Sequence, residues 1–82
     1  MSGSESRLRW QCRRGMRELD HLLLGWFETV YAEATESQKS AFRELLALPD
    51  PVLISYLLGT EIPPEIELAD VVSSILDRAK AQ

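Results

Sequence analysis

Apolar residues in this chain recur with the period of an α-helix, and this pattern limits the possible folds more than any other feature. Six of them follow the i, i+3, i+4 spacing of one helical face: Leu19, Leu22, Leu23, Trp26, Phe27 and Val30. Six more do so near the C-terminus: Leu68, Val71, Val72, Ile75, Leu76 and Ala79. No strand-like alternation or internal repeat competes with this pattern. We therefore predict an all-α fold.

Glycine, proline and helix-capping residues divide the chain into about five short helices. The first is expected over residues 6–13 and the longest over residues 16–34, with Gly15 allowing a change of direction between them. Residues 35–38 (TESQ) have the form of a capping box, which predicts a third helix up to about Leu48. The sequence thus predicts a compact single-domain bundle over residues 1–82, with residues 1–5 disordered.

Two proline-containing signals predict the remaining helices. Asp50 before Pro51 resembles an N-cap carboxylate followed by a proline in the first turn, and this fourth helix should stop at Gly59. The pair at residues 63–64 (PP) should launch the last helix, whose first turn would hold Glu65 and Glu67.

The size and cysteine content of the chain indicate its compartment. The longest apolar stretch, residues 22–27, is far below the roughly 18 residues of a membrane-spanning helix, so no membrane insertion is expected. The N-terminal residues lack the apolar segment of a signal peptide and the character of a transit peptide. Cys12 is the only cysteine, which excludes an internal disulfide and suits a reducing compartment. A cytoplasmic protein is the expectation.

Charge is distributed unevenly along the chain. Five of its nine basic residues lie within the first seventeen positions: Arg7, Arg9, Arg13, Arg14 and Arg17. Only Glu5 opposes them there, whereas twelve acidic residues follow from Glu18 onward. Such asymmetry is typical of an electrostatically selected interface, although a solvated charged face would produce it too.

Residues that could carry out catalysis are sparse. With His21 and Cys12 the only members of their types, a four-ligand zinc site or an oriented Cys–His pair is not easily assembled. The four glycines are too scattered for a phosphate-binding loop. Glu18 and Asp20, two positions apart on a helix, point in different directions. We expect no enzyme activity, no metal site and no cofactor of its own.

The segment RRGMRELD, residues 13–20, concentrates charge around a glycine and has two interpretations. In the structural one, Arg14 and Glu18 form an exposed ion pair and Gly15 makes a bend. In the functional one, Gly15 lets a partner approach closely. In both, Arg14→Ala or Glu18→Ala is expected to barely change stability, because an exposed ion pair contributes under about 1 kcal/mol.

Helical phase favours the functional interpretation. Glu18, His21 and Gly25 share a stripe away from the core face, and Arg14 would extend it if it were helical. Leu24 also falls outside the core sector, which slightly favours an interface. Trp10 could either anchor the first helix or lie at an interface, where Trp and Arg are enriched.

The run RLRWQCRRGMRELD, residues 7–20, closely resembles the signature of the FAD assembly factors, also called succinate dehydrogenase assembly factors or flavinators. Its centre is that family's Arg-Gly-x-x-Glu motif, and weaker likeness extends over nearly the whole chain. The resemblance implies a bundle of about five short helices that promotes covalent attachment of FAD to the flavoprotein subunit of succinate dehydrogenase. It also implies fumarate reductase as a related client, a bacterial cytoplasmic location and a helper that is not itself the enzyme.

The same resemblance implies the site. The motif falls on Arg14, Gly15 and Glu18, with Arg13, Met16 and Asp20 as neighbours at the contact with the flavoprotein. The alternative function is a small helical nucleic-acid-binding protein that uses the N-terminal arginine cluster on phosphates. The acidity of the remaining chain opposes it, because such binding depends on neutralising phosphates.

Overall fold

The apolar periodicity is realised as five α-helices in a computed structural model of the chain. The structure describes the backbone of residues 2–81 and the side chains of residues 5–81. The helices are α1 (Ser2–Gln11), α2 (Arg17–Thr29), α3 (Glu36–Leu46), α4 (Asp50–Leu57) and α5 (Ile66–Lys80), with a 3₁₀ turn at Tyr31–Glu33. The described residues contain no strand, and the prediction of an all-α bundle is confirmed.

The first helix begins earlier than predicted. It starts at Ser2 rather than residue 6, and Glu5 lies in its first turn, where a negative charge favours helix formation. The disorder predicted for residues 1–5 is therefore not what the structure has at residues 2–5, and Met1 lies outside the described residues. The helix ends at Gln11, which leaves residues 12–16 as the connection to α2.

The helix predicted over residues 16–34 is interrupted. Helix α2 ends at Thr29, and Thr29 and Val30 are both β-branched, which lowers helix propensity. The following 3₁₀ turn brings Tyr31 into the core. Its amides are satisfied locally, as in the bond from Ala34 N to the carbonyl oxygen of Tyr31 at 3.1 Å.

The capping box that begins α3 is confirmed. The Thr35 hydroxyl accepts from the Gln38 amide at 3.1 Å, and the Gln38 side chain accepts from the Thr35 amide at 3.0 Å. At α4, by contrast, the predicted N-cap is wrong. Pro49 is the N-cap and Asp50 is the first helical residue, so its carboxylate makes no capping bond. Helix α5 begins at Ile66, with Glu65 at the N-cap and only Glu67 in the first turn.

Helix α5 lies against α2 and α3 and closes the core. Four aromatic rings form the centre of the core. The ring centroids of Trp26 and Phe42 lie 4.7 Å apart, and those of Tyr31 and Phe42 lie 5.8 Å apart. The fourth ring is that of Phe27. Trp26 is fully buried and donates from Nε1 to Ser74 Oγ at 2.8 Å, which satisfies its polar atom.

Surface positions differ from the sequence prediction at two places. Leu24 is half-buried and packs against the core, so it does not mark an interface as helical phase suggested. Gly25 is covered by the Arg78 side chain and is not part of an open stripe. Trp10, for which both roles were open, is 74% exposed and does not anchor α1.

Candidate functional site

Arg14, the first motif residue, points into the protein. It lies in the connection between α1 and α2, outside any helix, and its side chain is only 16% exposed. Its Nε donates to the Gln11 carbonyl oxygen at 2.8 Å and its Nη1 to Asp50 Oδ1 at 3.2 Å, while Nη2 donates to the carbonyl oxygen of Leu46. The guanidinium thereby satisfies a carbonyl at the C-terminus of α3, where a positive charge is favoured.

The ion pair between Arg14 and Glu18, on which the structural interpretation of this segment depended, is therefore wrong. In the part of the chain that the structure describes, the salt bridge of Arg14 is to Asp50, thirty-six positions away. Because Arg14 joins the ends of three helices, we now expect its removal to lower stability, against the small change predicted for an exposed pair.

Asp20 has a related role on the other side of the connection. Its Oδ1 accepts from the Arg14 amide at 2.6 Å, and its Oδ2 accepts from the Gly15 amide at 3.3 Å. A single carboxylate thus binds two successive backbone amides of the loop and sets its path into α2. The family resemblance implies that Asp20 lies at the contact with the flavoprotein, whereas in the structure its carboxylate is directed to the loop.

Gly15 has a conformation that L-residues rarely adopt. Its φ is +82°, and a Cβ atom added there would meet nothing within 4 Å. The bend predicted at this glycine is confirmed, and the absence of neighbouring atoms leaves its backbone open to another surface.

The remaining site residues lie outward. Arg13, Met16 and Glu18 are all exposed, and the two latter flank the N-terminus of α2. The six predicted residues therefore lie within one segment, residues 13–20, and fall into two groups that differ in the direction they face. Arg14 and Asp20 hold the loop, while Arg13, Gly15, Met16 and Glu18 present it to solvent.

A groove that sequence analysis missed lies beside Glu18. It has a volume of about 490 Å³ and runs between α2, α4 and α5, with seven lining residues: Arg17, Glu18, His21, Leu22, Leu57, Leu58 and Leu76. The sequence signal for this groove was the pair of adjacent leucines at 57 and 58. Consecutive residues in a helix point about 100° apart, so one face cannot bury both side chains.

Cys12 lies fully buried behind the motif loop. Burial raises the pKa of its thiol from 9.0 to about 12, against the opposing effect of the nearby Arg14 and Arg9 guanidinium groups. The thiolate is the reactive form of cysteine, so this side chain is inert at neutral pH.

The described residues contain no group of three or more His, Cys, Asp or Glu side chains placed to hold a metal ion. No helix within residues 2–81 is long and apolar enough to cross a membrane. What the geometry does provide is an exposed loop of fixed conformation next to an open apolar groove, and exposed apolar surface of this kind is suited to binding another protein.

Comparison with known proteins agrees with the motif. A family model described as "Flavinator of succinate dehydrogenase" matches residues 6–79. The FAD assembly factor SdhE of Legionella pneumophila is 48% identical over 71 residues, which cover 87% of this chain and 89% of that protein. The FAD assembly factor SdhE of Idiomarina loihiensis is 42% identical over 74 residues, covering 90% and 82%. The corresponding protein of Yersinia pestis is 39% identical over 79 residues, covering 96% and 90%. The resemblance seen in the sequence is thereby confirmed, and this chain belongs to the family of succinate dehydrogenase flavinators.

Proposed function

We propose that this protein binds the flavoprotein subunit of succinate dehydrogenase in the bacterial cytoplasm and promotes the covalent attachment of FAD to it. The observation that carries the proposal is the family match over residues 6–79, which includes the exposed Gly15 and Glu18 of the motif. The relatives named above are FAD assembly factors of bacteria, which supports the activity and a bacterial setting.

The protein acts by preferring one state of its client. A binding partner shifts an equilibrium only as far as its affinity differs between the two states. The preferred state is a flavoprotein conformer in which FAD and the histidine that becomes bonded to it are aligned. The client carries out the attachment itself, and the small protein contributes no catalytic group or cofactor of its own.

Each part of the site has a task in this proposal. The Glu18 carboxylate makes charge-assisted hydrogen bonds with the client, which are stronger than neutral ones. The bare backbone of Gly15 allows the client to approach, and Arg13 and Met16 contribute at the edges of the contact. Arg14 and Asp20 maintain the loop through the intramolecular bonds described above.

Glu18 is the residue at which this proposal is best tested, because its side chain is exposed and has no salt bridge among the described residues. Glu18→Gln keeps the shape and removes the charge. Loss of a desolvated charged contact costs roughly 2–5 kcal/mol of binding, which is about thirtyfold or more in affinity. We expect a marked fall in covalent flavin on the flavoprotein subunit, measured as in-gel fluorescence after denaturation, in host cells that carry only the variant.

Glu36→Gln is the matched control, since Glu36 is an exposed glutamate at the start of α3, at the opposite end of that helix from Leu46, which Arg14 contacts. It should leave covalent flavin at the wild-type level. Equal fluorescence from Glu18→Gln and wild type, at equal protein levels, would remove Glu18 from the site.

Fumarate reductase is a second client in this proposal, and the same fluorescence assay on its flavoprotein tests it. The nucleic-acid alternative has become weaker. Arg14 is turned inward, and Arg9, although exposed, is paired with Glu28. Among the described residues, three of the original five arginines are therefore both exposed and without a salt bridge: Arg7, Arg13 and Arg17. Binding of duplex DNA or RNA at physiological salt, observed as a gel shift, would support the nucleic-acid alternative.

A further inference from the structure

The groove between α2, α4 and α5 is apolar at its floor and charged at its rim. Leu22, Leu57 and Leu76 form the floor, and Leu58, 39% exposed, forms a wall. A small protein gains stability by burying such side chains, so an open apolar groove of this kind is typical of an interaction site.

The rim carries charges of both signs. Arg17 and Glu18 are consecutive in the first turn of α2, both are exposed, and neither forms a salt bridge within the described part of the chain. A complementary segment would carry an acidic and a basic residue beside its apolar side chain. The charges of Arg17 and Glu18 cancel, so the rim has no net positive charge to attract a pyrophosphate, which argues against free FAD as the occupant.

The groove is continuous with the surface assigned to the client. The open backbone of Gly15 is followed by exposed Met16, and the chain then enters α2 at Arg17 and Glu18. One helical turn later, His21 and Leu22 line the groove itself. A protein that covered Gly15 and Glu18 would therefore extend over the groove.

We propose that the groove receives an apolar side chain of the client flavoprotein, carried on a segment whose flanking charges pair with Arg17 and Glu18. This inference rests on the proposed function and extends the contact from the motif loop to Leu58 at the end of α4. It assigns a binding role to residues that belong to no motif.

Leu58→Asp tests the assignment, with Ile66→Asp as the matched control. Ile66 is 73% exposed but does not line the groove, so both variants place a carboxylate on an exposed apolar position. The probe is the purified flavoprotein subunit of succinate dehydrogenase without covalent FAD, titrated by isothermal calorimetry. We expect Leu58→Asp to weaken binding by at least about tenfold, because a buried carboxylate without a partner is unfavourable, and Ile66→Asp to change it by less than about twofold.

Circular dichroism monitors the fold of each variant. Should Leu58→Asp lose its helical signal, Leu58→Ser, which removes apolar area without adding charge, takes its place and should also weaken binding. Wild-type affinity in a folded Leu58 variant would overturn the groove assignment and leave the proposed function intact.

Other occupants give different results. A wild-type protein that binds no flavoprotein would refute the proposed function together with the groove. Sedimentation velocity showing a dimer that Leu58→Asp converts to a monomer would assign the groove to a second copy of the chain. FAD binding that depends on Leu58 would assign it to free flavin, and either finding overturns the proposal.

Discussion

The backbone of Gly15 has a φ of +82°, which only glycine adopts without strain in a loop of this kind. A left-handed conformation costs an L-residue roughly 1–2 kcal/mol. No atom lies near the position of an added Cβ, so conformation and not collision determines the effect of a substitution.

Gly15→Ala should therefore lower the free energy of unfolding by roughly 1–2 kcal/mol while the helices remain. Gly15→Asn is the control, because asparagine tolerates this region better than alanine does, and it should cost less. Urea denaturation followed by circular dichroism measures both. An alanine variant as stable as wild type would mean that the loop leaves the left-handed region.

Cys12 gives the stability of the protein a dependence on alkaline pH. Burial raises the pKa of its thiol to about 12 in the folded state, against 9.0 when unperturbed. Above pH 9 the unfolded chain releases this proton and the folded chain retains it, so stability is full below pH 9 and falls as pH rises toward 12.

We expect the wild type to lose up to about 1.4 kcal/mol per pH unit over this window through Cys12. Cys12→Ala should lack that component, so the difference in stability between the two proteins should shrink or change sign as pH rises. Denaturant titrations at pH 8, 9 and 10 test this. Parallel pH profiles for the two proteins would contradict it.

At the scale of helices, α2 and α5 are joined by an arginine that lies over a glycine. Arg78 donates from Nε to Thr29 Oγ1 at 2.8 Å, and its Nη1 is buried 2.5 Å from where a Cβ of Gly25 would be. A mid-helix glycine is unfavourable by itself, so the close passage of Arg78 is its structural reason.

A double-mutant cycle isolates this contact. In an Arg78→Ala background, Gly25→Ala should raise stability by about 1 kcal/mol, the difference in helix propensity. In the wild-type background the gain should be smaller or negative, because the arginine must move and its bond to Thr29 weakens. Equal effects of Gly25→Ala in both backgrounds would show that Arg78 moves without cost.

At the scale of the whole molecule, two neighbouring leucines differ in how deeply they are buried. Leu23 is fully buried in the core, whereas Leu24 is half-buried at its edge. Leu23→Ala should cost roughly 2–5 kcal/mol, from lost transfer free energy and the cavity left behind.

Leu24→Ala, with the same change in side-chain volume, should cost distinctly less. Thermal unfolding measures both, since 1 kcal/mol corresponds to about 4–8 °C for a domain of this size. Similar melting temperatures for the two variants would mean that the orientation of α2 against the core is wrong.

Local patterns in the sequence determined the helices and their core faces. The buried residues Leu19, Leu23 and Trp26 follow the helical period, and the Thr35 capping box needed only a four-residue pattern. The family could also be recognised, because its motif is contiguous. All of these features depend on residues a few positions apart, where helix geometry fixes the relative placement.

Contacts between distant residues were decided by the tertiary structure alone. Arg14 binds Leu46 and Asp50, more than thirty positions away, and no local pattern distinguishes this from a surface pair with Glu18. The groove beside Glu18 forms only where α2, α4 and α5 meet. Sequence periodicity fixes which face of a helix is apolar, but the packing of several helices decides which charges turn inward and which apolar side chains remain open.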